Sequence, residues 1–267
     1  MAPGVEGFTA YWWNDFQGDE GSFPDQTKWE IVERGANGGN DEVQTFIKDE
    51  SVVILDGEKL VIKPQREDGR WTSARLHCTQ NFHADDGRIM LIEANFVLGG
   101  APKENQSGIW PSFWLLGEGY RDGGDEAWPM CGEIDIFENA SGESFHKPAV
   151  HFGNSFPERQ LLGAIPCEFD RGEYHTWGVR IDRKSSEGNW EDEKIQFLMD
   201  GEQYYEVSGS DMGDEDRWAA IAHGGVFPVF QVAVGTNWDG GSKPNDDTET
   251  GPDVGLAVKH VAVYFDE

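Results

Sequence analysis

Gly132-Glu133-Ile134-Asp135-Ile136-Phe137-Glu138-Asn139 is the stretch on which the reading of this chain turns. Its isoleucines and phenylalanine suit a strand with one face against a core. Side chains alternate along a strand, so Glu133 and Asp135 point the same way and Glu138 falls on the opposite parity. One extra residue in a β-bulge turns Glu138 back to their side, and bulges gather beside active sites because they re-aim a side chain. The expectation is three carboxylates on one face of one strand.

That arrangement has a chemistry. Two carboxyls about 5–5.5 Å apart serve a retaining glycosidase, one as nucleophile and one as acid/base. A third beside them raises their pKa by like-charge repulsion. The bare pattern E-x-D-x-x-E still carries little weight where 50 of 267 residues are acidic, and its alternative reading is a solvated acidic edge strand. The apolar fillers count against an edge. The surroundings decide it: Gly108-Ile109-Trp110-Pro111-Ser112-Phe113-Trp114-Leu115-Leu116-Gly117 lies upstream, Trp128-Pro129 just ahead, and Ala149-Val150-His151-Phe152-Gly153 downstream.

Taken together, G-I-W-P-x-F-W-L-L-G, W-P-x-x-G-E-I-D-I-x-E-N and V-H-F-G resemble the family 16 glycoside hydrolases. Within that family the chain resembles the laminarinase (endo-β-1,3-glucanase) branch, whose strand carries the bulged motif. Gly39-Asn40-Asp41-Glu42-Val43-Gln44 is similar to the family's G-N-N-E-L-Q, with Asp41 where a second Asn is usual. Thr72-Ser73-Ala74-Arg75 is similar to T-S-G-R, and Val234-Gly235-Thr236-Asn237-Trp238 to V-G-G-N-W. The matches run from about Phe16 to Tyr264.

Composition bounds the same reading. Length and the absence of a linker, repeat or low-complexity run favour one domain over residues 1–267. No stretch approaches the roughly 18 apolar residues of a membrane helix. A formal charge of −29 excludes nucleic acid and anionic membranes, which need a basic footprint, and suits a neutral glucan. Cys78, Cys131 and Cys167 form neither a disulfide framework nor a zinc signature, and an odd count leaves at least one unpaired. No signal peptide is visible at the N-terminus; a secreted, monomeric enzyme is what the resemblance implies.

The punctuation is that of β structure. Hairpins are expected around Asp56-Gly57 and Asp200-Gly201, a dipeptide suited to tight turns. Strands are expected over 88–98, 175–181 and 256–265, and a turn or two of helix between 213 and 222. Short strands broken by 34 Gly and 12 Pro indicate a β-sandwich. The resemblance sharpens this to an all-β jelly roll of two curved antiparallel sheets, with substrate across the concave one.

The residues at issue follow. Trp110 and Trp114 share a strand face with Ser112, while Phe113 and Leu115 face the other layer. Flat indoles suit the apolar faces of sugar rings, and core packing is the alternative for both. Trp128 sits in a loop before the carboxylate strand, where a large aromatic lines a cleft. His151 reads by itself as a structural strand histidine; the resemblance makes it a partner of a hydroxyl or carboxylate. Asn40 and Arg75 carry over as ligands of glucosyl hydroxyls. The resemblance implies Glu133 as nucleophile, Glu138 as acid/base and Asp135 as the residue that tunes and orients them, with no cofactor. A structural calcium is known in the family, but Val258-Lys259-His260 has no carboxylate where one is usual, so no metal site is expected. The expected partner is a neutral β-glucan, with mixed-linkage glucanase, transglycosylase or non-catalytic glucan-binding protein as alternatives. Asn105-Gln106-Ser107 and Asn139-Ala140-Ser141 fit the glycosylation sequon. The second is expected to be bare, because a glycan there crowds the cleft.

Overall fold

The computed structural model describes residues 2–36, 39–154, 160–163, 166–237 and 242–267. Two large antiparallel sheets face each other. One has seven strands, in the order Gln160–Gly163, Ala149–Phe152, Glu133–Glu138, Ile109–Gly117, Val226–Val234, Arg75–Cys78, Trp29–Ile31. The other has eight and is centred on Ile89–Leu98, which pairs with His175–Asp182 on one side and Leu256–Asp266 on the other. The expected all-β jelly roll is the fold observed. Among the described residues no helix is long and apolar enough to cross a membrane.

Alternation places the core between the sheets. Phe113 stacks on Phe230 at 4.8 Å within the seven-stranded sheet. Across the gap, Phe137 meets Phe96 at 5.1 Å and Trp177 at 4.8 Å. Rings of this size bury 150–250 Å² each, which makes this seam a main source of cohesion. Phe113 and Leu115 face it, as their parity requires, and both are fully buried.

The Asp-Gly hairpins form as expected. Val53–Leu55 pairs with Leu60–Ile62, and Lys194–Met199 with Glu202–Ser208. The only expected helical stretch becomes the short helices Gly209–Met212 and Glu215–Trp218 and a wider turn over Ala219–His223. Ser208 starts the first with a capping box, its hydroxyl accepting from Asp211 N–H while the Asp211 carboxylate accepts from Ser208 N–H.

Two glycines fix where the carboxylate strand begins. A Cβ at Gly117 would lie 1.6 Å from the Cys131 carbonyl oxygen, and one at Gly132 would lie 2.3 Å from Ile221 Cγ1. Gly117 N–H donates to Gly132 C=O at 2.9 Å, so the loop over residues 118–131 leaves and rejoins the sheet at one point. The three thiols are free, and no bridge forms among them. Asn139 is fully buried and its amide donates to the carbonyls of Glu143 and Phe145 at 2.8 Å each. That burial, more than crowding of the cleft, removes the second sequon from glycosylation.

Candidate active site

The Glu133–Glu138 strand pairs with Ile109–Gly117 in a register that skips one residue. Asp135 lies opposite Trp114 and Phe137 opposite Phe113, leaving Ile136 without a partner. Ile136 and Phe137 are consequently both buried on the core side, and Glu138 returns to the face of Glu133 and Asp135. The hydrophobic pair holds the bulge in place, because flattening it would turn one large apolar side chain toward solvent.

All three carboxylates line a cleft of about 730 Å³ on the outer face of the seven-stranded sheet. His151 faces Glu133 across the neighbouring strand. Its Nε2 lies 2.9 Å from Asp135 Oδ2 and 3.8 Å from Glu133 Oε1. Trp128 hydrogen-bonds Glu133, and Trp110 Nε1–H donates to Glu138 Oε1 at 3.1 Å. Each glutamate thus has an indole donor and each feels the charge of Asp135.

Burial and like charge act in the same direction on both. Burial first, then the Asp135 charge, pushes Glu133 up to about 7, against the pull of His151, Arg75 and the Trp128 hydrogen bond. Glu138 is driven well above the ordinary carboxyl range by burial and next by Asp135. Burial and like charge thus favour the protonated form of both carboxyls, and Glu133 is poised to ionise near neutral pH. A coupled pair of raised carboxyls suits acid-and-nucleophile chemistry.

The cleft floor continues across the sheet. Glu138 is in register with Ser112, Ser112 with Gln231, and Gln231 with Arg75, a polar row over four strands. Arg75 is buried, lies 4.7 Å over the Trp114 ring, and donates from Nε to His77 Nε2 at 2.7 Å. Burial and the neighbouring Arg75 drive His77 down to about 2, so it is the neutral acceptor that this bond needs. Asn40 also lines the cleft. Glu133, Asp135 and His151 also place one donor atom each within 4.8 Å of one another, a set able to hold a divalent ion.

The tryptophans take different places. Trp114 is 7% exposed and belongs to the main core as well as to the cleft. Trp110 packs with Phe46 and Ala233 and offers its N–H to Glu138, so its ring is more a wall than a free platform. Trp128 is half-buried and sits 6.0 Å from the His151 ring. Trp238 lies outside the described residues.

No protein-family model matches the chain. A beta-glucanase of Rhodothermus marinus is 28% identical over 264 residues, covering 94% of this chain and 84% of its own length. The crystal structure of an endo-1,3-beta-glucanase from Streptomyces sioyaensis matches at a TM-score of 0.88 and 29% identity, over 100% of both chains. These likenesses support a family 16 glycoside hydrolase of the laminarinase type. A glucan endo-1,3-beta-glucosidase of Niallia circulans is 24% identical over 91% of this chain, which spans 36% of that relative.

Reading this chain by motif passes over several cleft residues: Arg34, Tyr120, Asp125, Lys147, Leu161 and Gln231. Gln231 had a signal. It is the one polar residue in Val226–Val234, and its Oε1 is buried with no hydrogen-bond partner among the described residues. A lone amide in an apolar strand is costly unless a partner arrives, and a substrate hydroxyl is such a partner. Arg34 and Asp125 are 91 residues apart and had no local signal.

Proposed function

We propose that this glycoside hydrolase is a retaining endo-β-1,3-glucanase acting on laminarin-like chains, with Glu133 as nucleophile and Glu138 as acid/base. The observation that carries the reading is the bulge at Ile136, which brings both glutamates to one cleft floor with Asp135 between them. The names of the Niallia circulans relative and the Streptomyces sioyaensis structure support the same linkage.

In the first step Glu138 gives its proton to the glycosidic oxygen as the Glu133 carboxylate attacks the anomeric carbon. The carbon–oxygen bond to the leaving sugar breaks and a glycosyl ester to Glu133 forms. Water then enters, Glu138 takes its proton, its oxygen adds to the anomeric carbon, and the Glu133 carboxylate is released. Asp135 holds His151 and sets the electrostatics of both glutamates. Gln231, Arg75 and Asn40 are placed to meet hydroxyls, and Trp128 to stack on a ring. No step requires a cofactor.

Release of reducing ends tests the substrate. Laminarin is expected to be cut, barley or lichen mixed-linkage glucan equally or more slowly, and agarose almost not at all. Activity should survive exhaustive chelation. Cleavage confined to agarose would overturn the assignment, and loss of activity on chelation would overturn its metal-free mechanism.

Trp128 and Trp114 separate binding from packing. Trp128→Ala should weaken laminari-oligosaccharide affinity with little change in Tm. Trp114→Ala should also cost about 3–5 kcal/mol of stability, because a large core aromatic is lost. Calorimetric unfolding and oligosaccharide titration on the same samples read both. Unchanged affinity in Trp128→Ala would remove that ring from the binding site.

A further inference from the structure

The cleft has two long walls, and they are joined at one end. The first stands at the Gly117 end of the central strand. It is the loop over 118–131, anchored where Glu118 N–H donates to Gly225 C=O at 2.7 Å and Arg121 Nη2 to Cys78 C=O at 2.7 Å. The second stands at the Ile109 end. There Val43 N–H donates to Val234 C=O at 2.8 Å, and Arg34 exchanges backbone hydrogen bonds with Phe46 at 2.9 and 3.0 Å.

Between these walls runs one ion pair. Arg34 Nη2 lies 2.9 Å from Asp125 Oδ2, and Nη1 donates to Asp125 Oδ1 at 3.0 Å, a two-point contact. Tyr120 O–H donates to the same carboxylate at 2.8 Å. The Tyr120 ring sits 6.0 Å from His77 and 5.9 Å from the Arg75 guanidinium, over the Arg75–Cys78 strand. The pair itself is near the surface, with Arg34 33% and Asp125 63% exposed, while Arg75 and His77 below are buried. It therefore spans the groove above its floor, next to the edge strand Trp29–Ile31.

We propose that the Arg34–Asp125 pair is a crossbar that closes the edge-strand end of the cleft and limits the number of sugar rings between that end and the scissile bond. The proposal rests on the glucanase reading above. Four strand spacings separate Glu133–Glu138 from Trp29–Ile31, about 19 Å at sheet geometry. That is room for a short oligosaccharide, not for a continuing polymer at floor level. The crossbar thus restricts chain length on the edge-strand side of the cut. Exposed ion pairs add little to stability, so this one can be removed with the fold intact.

The test is bond-cleavage frequency on laminariheptaose labelled with ¹⁸O at its reducing end, read by mass spectrometry. The wild type should cut mainly one or two adjacent bonds at a fixed distance from one end. Asp125→Ala and Arg34→Ala should spread cleavage over further bonds, raising the longer fragments on the restricted side severalfold. The charge-exchanged double variant Arg34→Asp with Asp125→Arg should recover the narrow pattern, which a merely lost packing contact would not allow. If Arg34→Ala fails to fold, Asp125→Asn removes the charge at nearly constant shape and must show the same spreading. Cleavage frequencies unchanged in an active Asp125 variant overturn the crossbar alone. A wild type inert on every β-1,3-glucan overturns the substrate assignment and the crossbar with it.

Discussion

Glu138→Ala is expected to lose about 10²–10⁴-fold in activity on laminarin, the usual contribution of a general acid/base, yet to keep forming the glycosyl ester on an aryl β-glucoside whose leaving group needs no proton. Azide should then accelerate turnover and give the β-glycosyl azide, because a small anion attacks without a base. Glu133→Ala should fall further, on the order of 10⁴–10⁶-fold, with no ester formed. Azide entering that vacated space attacks the substrate directly and gives the α-glycosyl azide. NMR assignment of the two anomers decides the roles. An α product from Glu138→Ala and a β product from Glu133→Ala would exchange them, and inversion by the wild type would discard the two-step mechanism altogether. Burial and Asp135 favour the protonated form of Glu138, which an acid needs, and hold Glu133 near 7, poised to ionise.

Much of this site was legible because its signals are local. Alternation paired Trp110 with Trp114 on one strand face and Glu133 with Asp135 on another, and Asp-Gly pairs marked two hairpins that the structure contains. Glu138 was not legible from alternation, which points it into the core. Its place depended on a bulge, and the bulge depends on room for both Ile136 and Phe137 under the sheet, a tertiary fact. Trp110 shows the same limit. Its face was readable, but its contact with Phe46, 64 residues earlier in the chain by their numbers, comes from a separate small sheet. The free thiols, the buried Asn139 and the Arg34–Asp125 pair likewise follow from which segments meet, and no window of sequence reports that. Gln231 is the instructive case between the two. A single amide in a strand of nine, the other eight apolar, was visible in sequence, but its meaning required knowing that one face of the strand opens to a cleft.

Asp135→Asn is expected to move the whole pH–activity bell toward acid. Asp135 raises both glutamates by its charge, second only to burial in each case. Removing that charge lowers both pKa values. Glu133 must be ionised to attack, so the acid limb, set near 7 in the free wild-type enzyme, shifts to lower pH. Glu138 must be protonated to assist departure, so it loses competence at lower pH as well and the alkaline limb follows. The maximum should fall at the same time, because the 2.9 Å contact that orients His151 loses its charge. His151→Gln makes the opposite change: it withdraws a positive charge that lowers Glu133 and Glu138, so its bell should move toward alkali. Profiles of kcat/KM from pH 3 to 10 on laminarin read both variants. Two opposite displacements are a signature that misfolding or lost packing cannot produce, since either would lower the bell in place. Displacement of both variants in one direction, or of neither, would remove Asp135 and His151 from the electrostatic control of the glutamate pair.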